Sequence, residues 1–105
     1  MAAERVFELH PEADAEIDEA FEWYRVRDED VAARFLADVN ERLQSIREAP
    51  ERWPVVRNVT PRSRFRLLDG FPYTIFYRVG PTHLLVVALA HQKRQALYWA
   101  HRERR

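Results

Sequence analysis

The side chains best suited to chemistry lie in the second half of the chain. Arg64, Arg66 and Arg78 alternate with apolar residues and are expected to project from one face of a sheet. His91 ends an apolar run, Lys93 and Arg94 follow it, and Tyr98 and Trp99 come shortly after. Guanidinium forks pair bidentately with carboxylates and phosphates. Histidine exchanges protons near neutral pH, and tyrosine and tryptophan rings stack on bases. Lys93 is the sole lysine, and arginine, with a pKa above ~12, does not shuttle protons. The set is therefore better built to hold an anion than to move protons. Each member also has a structural use. His91, read at the parity of Leu85, Val87 and Leu89, fits a hydrogen-bonded core position. Arg66 and Arg78 fit the wet face of a sheet, Arg94 a partner for the acidic helices, and Tyr98 and Trp99 core anchors for the tail.

The rest of the composition narrows the classes. There is no cysteine, so neither a disulfide framework nor a thiolate metal site is available, and a reducing cytosol fits. His10, His83, His91 and His101 show no ligand spacing, and we expect no metal and no cofactor. Two glycines exclude a glycine-rich phosphate loop. The N-terminal MAAERVFELH is charged where a signal peptide is apolar. The longest apolar run, Leu84 to Ala90, is too short to cross a bilayer, so no membrane partner is expected. A length of 105 residues is expected to form one domain, 1–105. The net charge is zero only as a sum. Residues 1–51 hold 15 acids and 6 bases, and residues 52–105 hold 2 acids and 11 bases, which points to a binding surface on the basic half.

Periodicity supplies the elements that must carry these residues. Arg5 to His10 reads as a short strand ended by Pro11, which suits the first turn of a helix. Ala13, Ile17, Ala20, Phe21 and Tyr24 form one apolar stripe, with Glu12 and Asp14 suiting the positive helix end and Glu16, Asp18, Glu19 and Glu22 read as a solvated face. Asp28 or Asp30 caps a second helix whose stripe is Ala32, Phe35, Leu36, Val39, Leu43 and Ile46, ending at Ala49 before Pro50. Glu51 to Pro61 is irregular, with Trp53, Val55 and Val56 as an exposed apolar patch or part of the core. Strands follow at Arg64–Leu68, Tyr73–Val79 and Leu84–Ala90, divided by Asp69-Gly70 and Gly80-Pro81. The order β-α-α-β-β-β predicts an α+β fold, a helical hairpin packed on a small antiparallel sheet, with a basic C-terminal tail.

Several strings carry a family resemblance. They are His10-Pro11-Glu12-Ala13, Ala49-Pro50-Glu51, Phe71-Pro72-Tyr73-Thr74-Ile75-Phe76-Tyr77-Arg78-Val79, His91-Gln92-Lys93-Arg94, and Tyr98-Trp99 with Arg102. The chain resembles the RelE/ParE superfamily of type II toxins over nearly its whole length, most closely the ParE-like branch of plasmid stabilisation proteins. The resemblance implies a bacterial cytoplasmic toxin neutralised by a cognate antitoxin, as a homodimer or a toxin–antitoxin heterotetramer. It also implies one of two targets. ParE-like members act on DNA gyrase by binding. RelE-like members are ribosome-dependent mRNA endoribonucleases, and that chemistry would fall to His91, Arg78, Arg94, Tyr98 and Glu51. On the binding reading, Arg64, Arg66, Arg78, Lys93 and Arg94 contact the target or nucleic acid. A non-toxic member that keeps the fold and the antitoxin contact is the third expectation.

Overall fold

A computed structural model describes residues 5–104. The opening Met1–Glu4 of the N-terminal reading, and Arg105 of the tail, lie outside the described residues. The elements run β1 (Val6–Leu9), α1 (Pro11–Arg25), α2 (Glu29–Glu48), β2 (Arg64–Leu67), β3 (Tyr73–Val79) and β4 (His83–His91). The expected order is met. The sheet runs β1-β4-β3-β2, with β2, β3 and β4 antiparallel. It is mixed rather than wholly antiparallel, because β1 lies parallel to β4. The helical hairpin between them is a crossover long enough for a parallel return.

Local chemistry sets the helix ends. Pro11 opens α1, and His10 Nδ1 accepts the Glu12 N–H at 3.1 Å. Asp28, the nearer of the two expected caps, accepts the N–H groups of Asp30 and Val31. The α2 helix stops at Ala49, one residue before Pro50.

The sheet has two covered faces. Towards the helices, Ala13, Ile17, Phe35, Val39, Ile46, Ile75, Tyr77, Val86 and Leu89 form the main core. Leu36, expected in this stripe, is exposed, while Asp38 of the same helix is buried. The Asp38 carboxylate accepts the N–H groups of Asp69 (3.0 Å) and Gly70 (2.9 Å). The β2–β3 link is thus the loop 68–72 held from α2. It is not a two-residue type I′ turn, which would require Gly70 at positive φ.

The opposite face is covered by the tail. Residues 92–104 form turns instead of a helix or strand. Trp99 is fully buried and stacks on Phe76 at 4.3 Å, within a second cluster that includes Leu85, Val87 and Ala88. The strand β4 is buried from Leu84 to Ala90 because it serves both cores. At the far edge of the sheet the 54–56 segment runs beside β2, through Val56 N–H to Ser63 O and Phe65 N–H to Pro54 O.

Candidate functional site

Strand register decides where the basic residues point. Arg64 pairs with Tyr77 and Arg66 with Ile75, so both lie on the helix face. Arg78 pairs with Leu85 and faces the tail. The three arginines do not share a sheet face, because successive strand residues alternate and cross-strand partners share a side. Phe65 accordingly meets Phe76 on the tail face, and Leu67 stands half exposed there while Leu68 enters the main core.

His91 does not share the face of Leu85 and Val87. Tyr77 pairs with Val86 and Phe76 with Ala88, which leaves Val87 as the extra residue of a bulge. Alternation along β4 resets at that point. Leu85 and Val87 face the tail, whereas Leu89 belongs to the helix-side core, and His91 meets Tyr73 edge-on at 5.1 Å. His91 is half-buried, and its Nδ1 accepts the Lys93 N–H at 3.0 Å. That bond leaves Nε2 as the proton-bearing nitrogen of the neutral ring. Arg94 lies beside it on a cavity of about 220 Å³ that also borders Glu19 and Trp23. The Arg94 guanidinium sits 3.9 Å over the Tyr98 ring. His91, Arg94 and Tyr98 are therefore brought to one end of β4, with the Lys93 side chain exposed beside them.

Glu51 is not brought to this end. It stands near Gly80, where Arg5 bridges the Gly80 carbonyl and the Glu51 carboxylate (3.6 Å). His91 pairs with Tyr73 at the other end of β3. Seven residues of strand separate the two, about 20 Å at ~3.3 Å per residue.

Several arginines are occupied. Arg78 donates from Nε to Ser63 Oγ (3.1 Å), from Nη2 to Ala100 O (2.8 Å), and from Nη1 to Arg102 O. Burial lowers its pKa. Arg66 donates to Ser45 Oγ and lies 3.5 Å over Trp53, and burial followed by the charges of Arg42 and Arg52 lowers its pKa too. Trp53 is thereby half-buried under Arg66, its Nε1–H directed at Ser45 O (3.4 Å), while Val56 joins the second core and Val55 remains exposed.

The pairing of Arg102 and Tyr98 with Glu16 had no signal in the chain. Arg102 is buried and donates to Val87 O (2.9 Å) and to Glu16 (2.8 Å), with Glu12 at 3.3 Å. Glu16 also accepts the Tyr98 hydroxyl (2.5 Å) and the Leu89 N–H (3.1 Å). Glu16 is therefore a partly buried acceptor instead of part of a solvated face. The strand β1 departs from β4 after Leu9, so the Leu89 N–H has no strand partner on that side. The bulge frees the Val87 carbonyl, and together they create this site for charge. Burial opposes the Arg102 charge, but the Glu16 bond and the Glu16 and Glu12 charges outweigh it and raise its pKa. Burial and the Glu16 bond raise the Tyr98 pKa.

The family model described as the ParE toxin of the type II toxin-antitoxin system, parDE, matches residues 7–96.

The chain belongs to the ParE toxin family.

A solved structure titled as the chromosomal ParDE toxin-antitoxin system from P. aeruginosa shares the fold at a TM-score of 0.72. It is 16% identical, covering 84% of this chain and 96% of that one. No curated protein matches the chain. This ParE-family chain thus presents, among its described residues, two separated basic regions: His91, Lys93 and Arg94 at the tail, and the arginines around Glu51. Among the described residues no group of His, Cys, Asp or Glu has the arrangement to hold a metal, and no helix is long and apolar enough to cross a membrane.

Proposed function

We propose that this ParE-type toxin arrests growth by binding DNA gyrase in the cytoplasm and is neutralised by a cognate antitoxin, acting as one domain of residues 1–105. The observation that carries the binding reading is the separation of Glu51 from His91 along β3, together with the commitment of Arg78 to backbone carbonyls. An acid–base pair must reach the same substrate atoms. Contact with the target then falls to Lys93 and Arg94, with Arg64, Arg66 and Arg78 shaping the surface. The antitoxin would bring an acidic amphipathic segment. The basic half, with Leu67 and Leu97 exposed on the tail side, offers charge and apolar surface to match. A homodimer or a toxin–antitoxin heterotetramer is the corresponding assembly.

A second reading has its own observation. His91, Arg94 and Tyr98 stand together, so an mRNA endoribonuclease would have one proton shuttle, one fixed cation and a ring at one place. Purified protein added to a gyrase supercoiling assay and to a translating extract separates the two. Lost supercoiling with intact mRNA is expected. Cleaved mRNA on stalled ribosomes overturns the binding reading. Silence in both, with tight antitoxin binding, identifies a non-toxic family member.

A further inference from the structure

We propose that the cleft between Arg5, Arg62, Arg64 and the Gly80-Pro81 turn is a binding site for a phosphate group. It is distinct from the His91–Arg94 end and shares only Arg64 with the residues assigned to the target surface.

The cleft has a volume of about 450 Å³, and three guanidiniums border it. Two of these are held from behind. Arg5 Nε donates to Gly80 O at 2.8 Å. Arg64 Nη1 donates to Glu51 O at 3.0 Å and to Trp53 O at 2.6 Å. Backbone carbonyls carry no net charge, so these bonds orient the forks without neutralising them. A fork fixed in advance loses less side-chain entropy when it binds. The Nε and Nη2 groups of Arg64, and the whole Arg62 guanidinium, have no protein acceptor among the described residues. Some cations elsewhere are matched by acids: Arg102 by Glu16 and Glu12, Arg104 by Glu8, and Arg25 by Glu22.

The one acid at the cleft behaves as a stand-in for the ligand. The Glu51 carboxylate lies 3.6 Å from Arg5 Nη2 with 69% of its side chain exposed. It can therefore turn into solvent at little cost, since exposed ion pairs contribute only ~0–1 kcal/mol. With Glu51 displaced, three cations remain for one dianion. A phosphoryl group brings about −1.5 to −2 charges near neutral pH and three acceptor oxygens, which matches a cleft lined by three arginines.

The test is a titration of the full chain in phosphate-free buffer at constant ionic strength, followed through backbone amide NMR. The probes are inorganic phosphate, a 5′-phosphorylated dinucleotide, and an unphosphorylated trinucleotide whose phosphates are internal diesters. Saturable shifts centred on Gly80 and Arg62 are expected with at least one probe. Saturation by the first two alone assigns a phosphomonoester. Saturation by the trinucleotide as well assigns the nucleic-acid backbone. Arg5→Gln and Arg62→Gln should each weaken binding about tenfold, the scale of one charge-assisted hydrogen bond. Glu51→Gln should tighten it several-fold, and Arg34→Gln, on exposed α2 surface, should leave it unchanged. Glu51→Gln separates the site from general basicity, because it removes a competitor without adding a contact. Shifts that do not saturate, that spread equally over all arginine segments, or that ignore Glu51→Gln overturn the proposal.

Discussion

At the scale of single residues, the decisive chemistry is what each buried polar group finds as a partner. Arg102 and Glu16 lie 86 positions apart and form the most enclosed ion pair described in the chain. Removing one partner of a buried pair strands the other and typically costs ~3–5 kcal/mol. Arg102→Ala should therefore lower stability by about 3 kcal/mol in urea unfolding, since it also strands Val87 O. Glu16→Gln should cost less, because its amide oxygen still accepts the Leu89 N–H. Tyr77 gives a test in pH. It is fully buried, its hydroxyl donates to Pro50 O (2.6 Å), and burial pushes its pKa from 10.0 to about 12. Below pH 10 both folded and unfolded states keep the proton. Between pH 10 and 12 only the unfolded chain loses it, so stability falls as pH rises, by up to about 1.4 kcal/mol per unit. Tyr98 acts in the same direction. Urea midpoints at pH 9 and 11.5 should show the fall, and Tyr77→Phe should make it shallower.

At the scale of elements, the sequence was a good guide wherever a run makes its own structure. The stripes of Ala13, Ile17 and Ala20, and of Phe35, Val39 and Ile46, were legible because helical period alone brings them to one face. Asp28 was legible as a cap because a cap acts over two or three residues. Links between elements were less so. The Asp69-Gly70 pair suggested a tight turn, whereas Asp38, 31 residues earlier, sets the loop. Asp38→Ala should cost about 1–3 kcal/mol by leaving two N–H groups without their acceptor. Hydrogen exchange at Asp69 and Gly70 should accelerate more than exchange in α1. If the loop amides stay as protected as before, the carboxylate is not what holds the loop. The bulge at Val87 was likewise invisible, and it is why simple alternation misplaced His91 relative to Leu85.

For the whole molecule, the tail builds a second core, with Trp99 in the anchoring role its type suggested. Trp99 against Phe76, Arg78 on the tail carbonyls and Arg102 on Val87 close the sheet face opposite the helices. A chain ending at residue 96 should expose Phe76, Val87 and Ala88, bind a hydrophobic dye, and melt at a markedly lower temperature. Native-like melting of that truncated chain would show the second core to be dispensable. Toxicity should be separable from this role: Lys93→Ala with Arg94→Ala should reduce growth arrest while leaving the melting temperature nearly unchanged, since both side chains are exposed. Growth on induction and thermal melting, measured on the same variant, distinguish the two effects.

The sequence by itself determined the order of the elements, the two helix stripes, the family resemblance and the division of charge, because each is written in neighbouring residues or in composition. Only the tertiary structure decided which charges are available. Arg78 and Arg102 look no different from Arg62 or Arg94 along the chain. They differ in space because carbonyls and carboxylates from distant segments meet the first two and leave the others to solvent. A guanidinium's function follows from its unclaimed N–H groups, and the partners that claim them are assembled by the fold.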